Sequence, residues 1–131
     1  MKDADPGFLG NLTDVSGARF IARLQDSGPN FEAYRQVGGE IVSIGQIGTY
    51  VIARGQQEQV LCQIISAREE GHGEDTTRML RLLPLGEISS DGKFFRGVGH
   101  YPPLGTPVYM AESAQLDAMF DGVRRYGLHL G

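Results

Sequence analysis

Residues 83–110 read LPLGEISSDGKFFRGVGHYPPLGTPVYM, with apolar runs at 83–88 and 108–110 that are each flanked by turn residues. Between the two runs lie a Ser89-Ser90-Asp91-Gly92 turn, the unit Phe94-Phe95-Arg96-Gly97 and a proline-rich bend from Tyr101 to Pro107. Short apolar runs separated by such turns read as closely spaced strands that reverse sharply, with aromatic residues and an arginine at the corners. Pro84 interrupts the first run and predicts an edge position or a bulge there. Pro102, Pro103 and Pro107 exclude a central strand across the bend, and residues 108–110 resume the β pattern.

The same reading extends outward. Residues 8–24 read as a hairpin: Leu9, Leu12 and Val15 precede a Ser16-Gly17 turn, after which Phe20, Ala22 and Leu24 alternate with Ile21 and Arg23. Residues 25–30 (QDSGPN) form a loop, and 31–39 fit more than one state, ending at Gly38-Gly39. A short β-rich segment covers 40–44. Residues 49–67 predict a second hairpin, TYVIAR turning through 55–58 into QVLCQIISA, whose middle is apolar on both faces and so should be buried on both. Residues 68–77 (REEGHGEDTT) read as a charged, exposed loop. In 78–88, Met79, Arg81 and Leu83 fall on one face and Leu80 and Leu82 on the other. Residues 94–99 fit a strand or a bulge. Only 113–123 is helical by pattern, with Ser113 as its cap and Leu116, Met119, Phe120 and Val123 along one stripe.

Many short strands, turns about every ten residues and one late helix predict an all-β fold: a small closed or nearly closed antiparallel β-barrel with one short C-terminal helix. The expected organisation is a disordered tail at 1–7, the barrel with its helix at 8–123, and the start of a linker at 124–131.

At 131 residues the chain is one domain by length and long enough to bury a core. Its 12 Lys and Arg against 16 Asp and Glu give a net charge of −4, which argues against broad, non-specific nucleic-acid binding. Only Lys2 and Lys93 are lysines; the arginine bias suits bidentate contacts at interfaces and equally fits a GC-rich genome. Cys62 is the single cysteine, in an apolar run, which implies core packing in a reducing cytosol. The N-terminal MKDADPGFLG lacks the apolar core of a signal peptide, and no membrane-spanning run follows, so a cytoplasmic location without a membrane partner is expected.

Chemistry is sparse. The one Gly-Lys pair, Gly92-Lys93, is followed by Phe94 and has Glu87 five residues before Gly92, so the chain holds no Walker A loop. Gly45-Gln46-Ile47-Gly48 and Gly97-Val98-Gly99 lack the strand-to-helix setting of a dinucleotide site. Glu69, Glu70, His72, Glu74 and Asp75 share one loop without the spacing of a metal site, and read as a solvated acidic loop. His72, His100 and His129 have no evident nucleophile or carboxylate partner, so no catalytic residue, metal ligand or cofactor is assigned within this chain. The candidate oligomer or partner interface comprises Phe94, Phe95, Arg96, His100 and Tyr101. Three roles fit this group: core filling by one or both phenylalanines, an interface edge anchored by aromatics and Arg, or stacking of single-stranded nucleic acid.

Read in order, the segments at 10–24 (GNLTDVSGARFIARL), 42–54 (VSIGQIGTYVIAR) and 85–109 resemble the N-terminal barrel of HerA-type ATPases, of the HerA–ATP synthase barrel type. The motif matches are Gly86-Glu87-Ile88, Phe94-Phe95-Arg96-Gly97-Val98, Tyr101-Pro102 and residues 105–108, followed by the helix with Leu116 and Phe120. The resemblance implies a barrel that does no chemistry. It would crown a hexameric ring whose separate motor core, with ATP and Mg, translocates double-stranded DNA in DNA-end processing or phage defence. Such a barrel helps the ring assemble and docks an effector, either a nuclease or a sirtuin-type NADase. The alternative is a stand-alone small barrel that binds nucleic acid or a small ligand.

Overall fold

Most strands and the helix form where the alternation and the turns placed them, the β-rich segment at 40–44 included, and the ambiguous stretch 31–39 holds one further short strand. The computed structural model describes residues 7–25, 34–37, 40–43 and 46–125. Its strands are β1 (Phe8–Val15), β2 (Phe20–Leu24), β3 (Tyr34–Val37), β4 (Glu40–Ser43), β5 (Tyr50–Arg54), β6 (Gln59–Glu70), β7 (Thr77–Ile88), β8 (Phe94–Arg96) and β9 (Pro107–Met110), followed by helix α1 (Ser113–Arg125). Of the tail expected at 1–7 and the linker expected at 124–131, residues 1–6 and 126–131 lie outside the described residues, as does most of the loop at 25–30, while 124–125 belong to the last turn of α1 and not to a linker.

Six strands run β2-β1-β9-β5-β6-β7, and β7 returns to pair with β2, so an antiparallel barrel closes. The extra strand, β8, adds to the sheet beyond that seam, and β3 and β4 form a separate two-stranded ribbon. The seam depends on β7, which pairs with β6 from Thr77 to Glu87 along one edge. Its other edge is divided: Met79–Leu82 pair with β2, and Gly86–Ile88 pair with β8. Pro84 sits in the interval between these two pairings. It also adjoins a bulge at which the register steps from Cys62↔Pro84 to Leu61↔Gly86. A residue without an N–H is tolerated where one ladder has stopped and the next has not begun.

Each barrel strand sends alternate side chains inward. Leu9, Leu12, Phe20, Val51, Val60, Cys62, Ile64, Leu80, Leu82 and Val108 make a continuous inner core. A barrel of so few strands has an interior that side chains alone fill. The two-faced burial expected of β6 has a specific cause. Leu61 and its neighbour Ile52 on β5 point outward, into a second core with Ile88, Phe94 and Met119. Helix α1 supplies Leu116 and Met119 to this outer core, so the helix covers the outside of the barrel where β8 extends it.

Two expectations require correction. Ser113 is the first helical residue and does not cap the helix; the Glu112 N–H donates instead to the side-chain oxygen of Gln115, at 2.8 Å. That is the back-reaching half of a capping box, with Gln at the third helical position. The charged loop expected at 68–77 is also shorter than its charges suggest. β6 continues to Glu70 and β7 begins at Thr77, with a 3₁₀ turn at Gly73–Asp75 between them. Glu69 lies directly opposite Arg78 and pairs with it at 2.9 Å, while Arg68 and Glu70, two apart on one strand, pair at 2.6 Å. Opposite charges facing across a ribbon support strand pairing without apolar alternation.

Candidate partner-docking surface

The turn at 89–92 sets β8 beside the end of β7. Gly92 N–H donates to the Ser89 carbonyl at 2.9 Å, and Ser89 N–H donates to the Lys93 carbonyl at 2.8 Å. The Ser89 hydroxyl donates to Asp91, which holds that exposed carboxyl below its usual range. The resulting register, Ile88↔Phe94 and Glu87↔Phe95, decides the fate of the two phenylalanines. Phe94 shares the face of Ile88 and enters the outer core, 6% exposed. Phe95 takes the opposite face and is 47% exposed. Arg96 follows, exposed, with no carboxylate within ion-pair distance among the described residues.

Gly86 and Gly97 are glycines for different reasons. A Cβ at Gly86 would collide with the Phe95 carbonyl and the Phe94 ring, so β7 and β8 approach closely only because position 86 has no side chain. Gly97 has φ +83°, in the left-handed region, and there the chain leaves β8.

Beyond Gly97 the chain passes over the end of the barrel interior. Val98 packs on the inner core, Pro102 is fully buried, and the Tyr101 ring lies edge-on to the core residue Phe20 at 6.2 Å. The bend is fastened at both ends. Leu12 N–H donates to the Thr106 carbonyl at 2.9 Å, and the buried Thr106 hydroxyl donates to the Pro103 carbonyl at 2.6 Å. At the start, the Glu87 carboxylate accepts the backbone N–H of Gly99 and that of His100, the latter at 2.8 Å. The His100 imidazole lies 3.7 Å from the other Glu87 oxygen and is otherwise in solvent. Reasoning from sequence missed this clasp. The available signal was a lone carboxylate in an otherwise apolar run, three residues past a strand proline.

Of the five expected surface residues, then, Phe94 is interior, while Phe95, Arg96, His100 and Tyr101 are exposed. Tyr101 keeps one ring edge on Phe20 and leaves 46% of its surface to solvent.

A groove of about 720 Å³ lies between the β5–β6 turn and the bend, lined by Arg54, Gln56, Gln57, Glu58, Leu104 and Pro107 among others. Arg54 holds its guanidinium 4.6 Å above the Tyr109 ring, a cation–π arrangement that fixes its position. Leu104 stands on the opposite wall, 67% exposed.

Cys62 is buried in the inner core, and burial pushes its thiol far above the ordinary range. Among the described residues, no three His, Cys, Asp or Glu side chains converge as metal ligands, and no helix is long and apolar enough to cross a membrane. Comparison of the chain with known protein families finds no match, and comparison with curated proteins likewise finds none.

Proposed function

We propose that this chain is a non-catalytic assembly and partner-docking barrel of a hexameric HerA-type ATPase that translocates double-stranded DNA. ATP and Mg would bind in a separate motor core, and the docked effector would be a nuclease or a sirtuin-type NADase. One observation carries the reading: the separated motifs of residues 85–109 form one structural unit. Gly86 admits β8, Glu87 clasps the loop at Gly99 and His100, Gly97 turns the chain, and the bend returns it to the barrel as β9. A small antiparallel β-barrel is also the fold that the resemblance implies, and the barrel here closes.

The packed interior directs function to the outside. Aliphatic side chains and Phe20 occupy the space a ligand would need, so recognition belongs to the surface, where Phe95, Arg96 and Tyr101 stand at one end. Aromatic residues and arginine are the usual anchors of protein interfaces. The test is deletion of residues 8–123 from the native protein, followed by measurement of ring formation and effector binding. Loss of either supports the proposal, and retention of both overturns it. Titration of this chain with single-stranded DNA, double-stranded DNA and nucleotides tests the stand-alone alternative, which requires binding at about micromolar concentration or tighter.

A further inference from the structure

We infer that the groove between the β5–β6 turn and the 103–107 bend is a peptide site, fitted to an extended segment that carries one carboxylate beside an apolar side chain. The inference goes beyond the assembly role, and it stands whether or not the barrel serves a ring motor.

The volume, about 720 Å³, lies within the ~300–1,000 Å³ of small-ligand sites and accommodates a few residues of extended chain. A second furrow of about 420 Å³, along Asn11, Thr13 and Arg23, shares Gly105 as a lining residue with the first. Arg54 is the groove's one cation, and among the described residues no carboxylate lies within ion-pair distance of it. Its stacking on Tyr109 fixes the guanidinium plane before any ligand arrives, leaving its N–H groups to grip a carboxylate in a bidentate fork.

Glu58, the other charged lining residue, is folded back over Gly55, where an added Cβ would strike its carboxylate. Its presence on the wall disfavours strings of acidic residues and selects a single carboxylate at Arg54. Opposite, Leu104 and Pro103 present uncovered apolar surface for the neighbouring side chain of the peptide. The exposed amides of Gln56 and Gln57 supply donors and acceptors for its backbone.

The experiment is an amide NMR titration of the full 131-residue chain with a blocked Gly-Glu-Leu-Pro-Gly peptide at physiological salt. Saturable shifts at Gln56, Gln57, Leu104 and Gly105 and at the Arg54 side chain are expected. Replacing the peptide's Glu by Gln should weaken binding about tenfold, the usual size of a charge-assisted contact. Arg54→Gln should do the same, and Leu104→Ser should weaken binding through the other wall. Both variants are checked for an unchanged spectrum elsewhere, so that loss of folding is not read as loss of the site. Absence of shifts, equal affinity for the Gln peptide, or unchanged binding by both variants would overturn the assignment. Equal shifts with inorganic phosphate alone would overturn it too, since the groove would then read any anion.

Discussion

Glu87 shows how one side chain can join two distant parts of a chain. Its carboxylate accepts two backbone N–H groups, from Gly99 and His100, while its backbone belongs to β7. Hydrogen bonds to a charged acceptor contribute more than neutral ones, so Glu87→Ala should destabilise the protein by about 1–3 kcal/mol. Urea denaturation measures that loss, and faster hydrogen exchange at Gly99 and His100 would locate it. Cys62 offers a second residue-level prediction. Its thiol is held protonated in the core but ionises normally once unfolded, so its folded value is the raised one. Stability is therefore complete below the unfolded thiol's value of about 8.5 and falls as pH rises beyond it. Cys62→Ala should remove that decline between about pH 8 and 9.5, and native protein should resist alkylation until it unfolds. The burial of Cys62 was legible in its apolar run. The choice between Phe94 and Phe95 was not. Two adjacent phenylalanines look alike until the register places one opposite Ile88 and the other opposite Glu87.

At the scale of elements, alternation was the reliable guide. Leu80 and Leu82 face inward while Arg81 and Leu83 are exposed, as their spacing implied, and the hairpins β1–β2 and β5–β6 stand where their turns placed them. The failures share a physical form. β6 and β7 run further than their apolar residues, where the cross-strand pair Glu69–Arg78 supports the ribbon, and charges carry no facing signal in sequence. The helix begins at residue 113 as expected, but Gln115 reaches back to Glu112 and takes the capping role expected of Ser113. Helix α1 matters through what it covers. Met119→Ala should cost about 2–5 kcal/mol by leaving a cavity over Ile52, Leu61 and Phe94. Thermal unfolding measures the effect, and a change near zero would mean that the helix does not seal the outer core.

For the whole molecule, closure is the organising fact. The β2–β7 pairing removes the barrel's open edges, and the 97–106 segment covers one end of its interior. The strand order was hidden, because β9 lies between β1 and β5, far from both in sequence. Such pairings rest on distant complementarity and leave little local trace. The barrel class was nonetheless readable from strand spacing, whereas the groove at Arg54 was not, since its walls come from segments about fifty residues apart. The barrel interior is filled, while Phe95, Arg96 and Tyr101 stand exposed, which is the arrangement the proposed docking role requires. The most direct test is native mass spectrometry of the endogenous protein, captured with an antibody against this domain. A ring of six subunits, each several hundred residues long at ~100–200 residues per domain, is the predicted result. A single subunit near 14.3 kDa would contradict the assembly role.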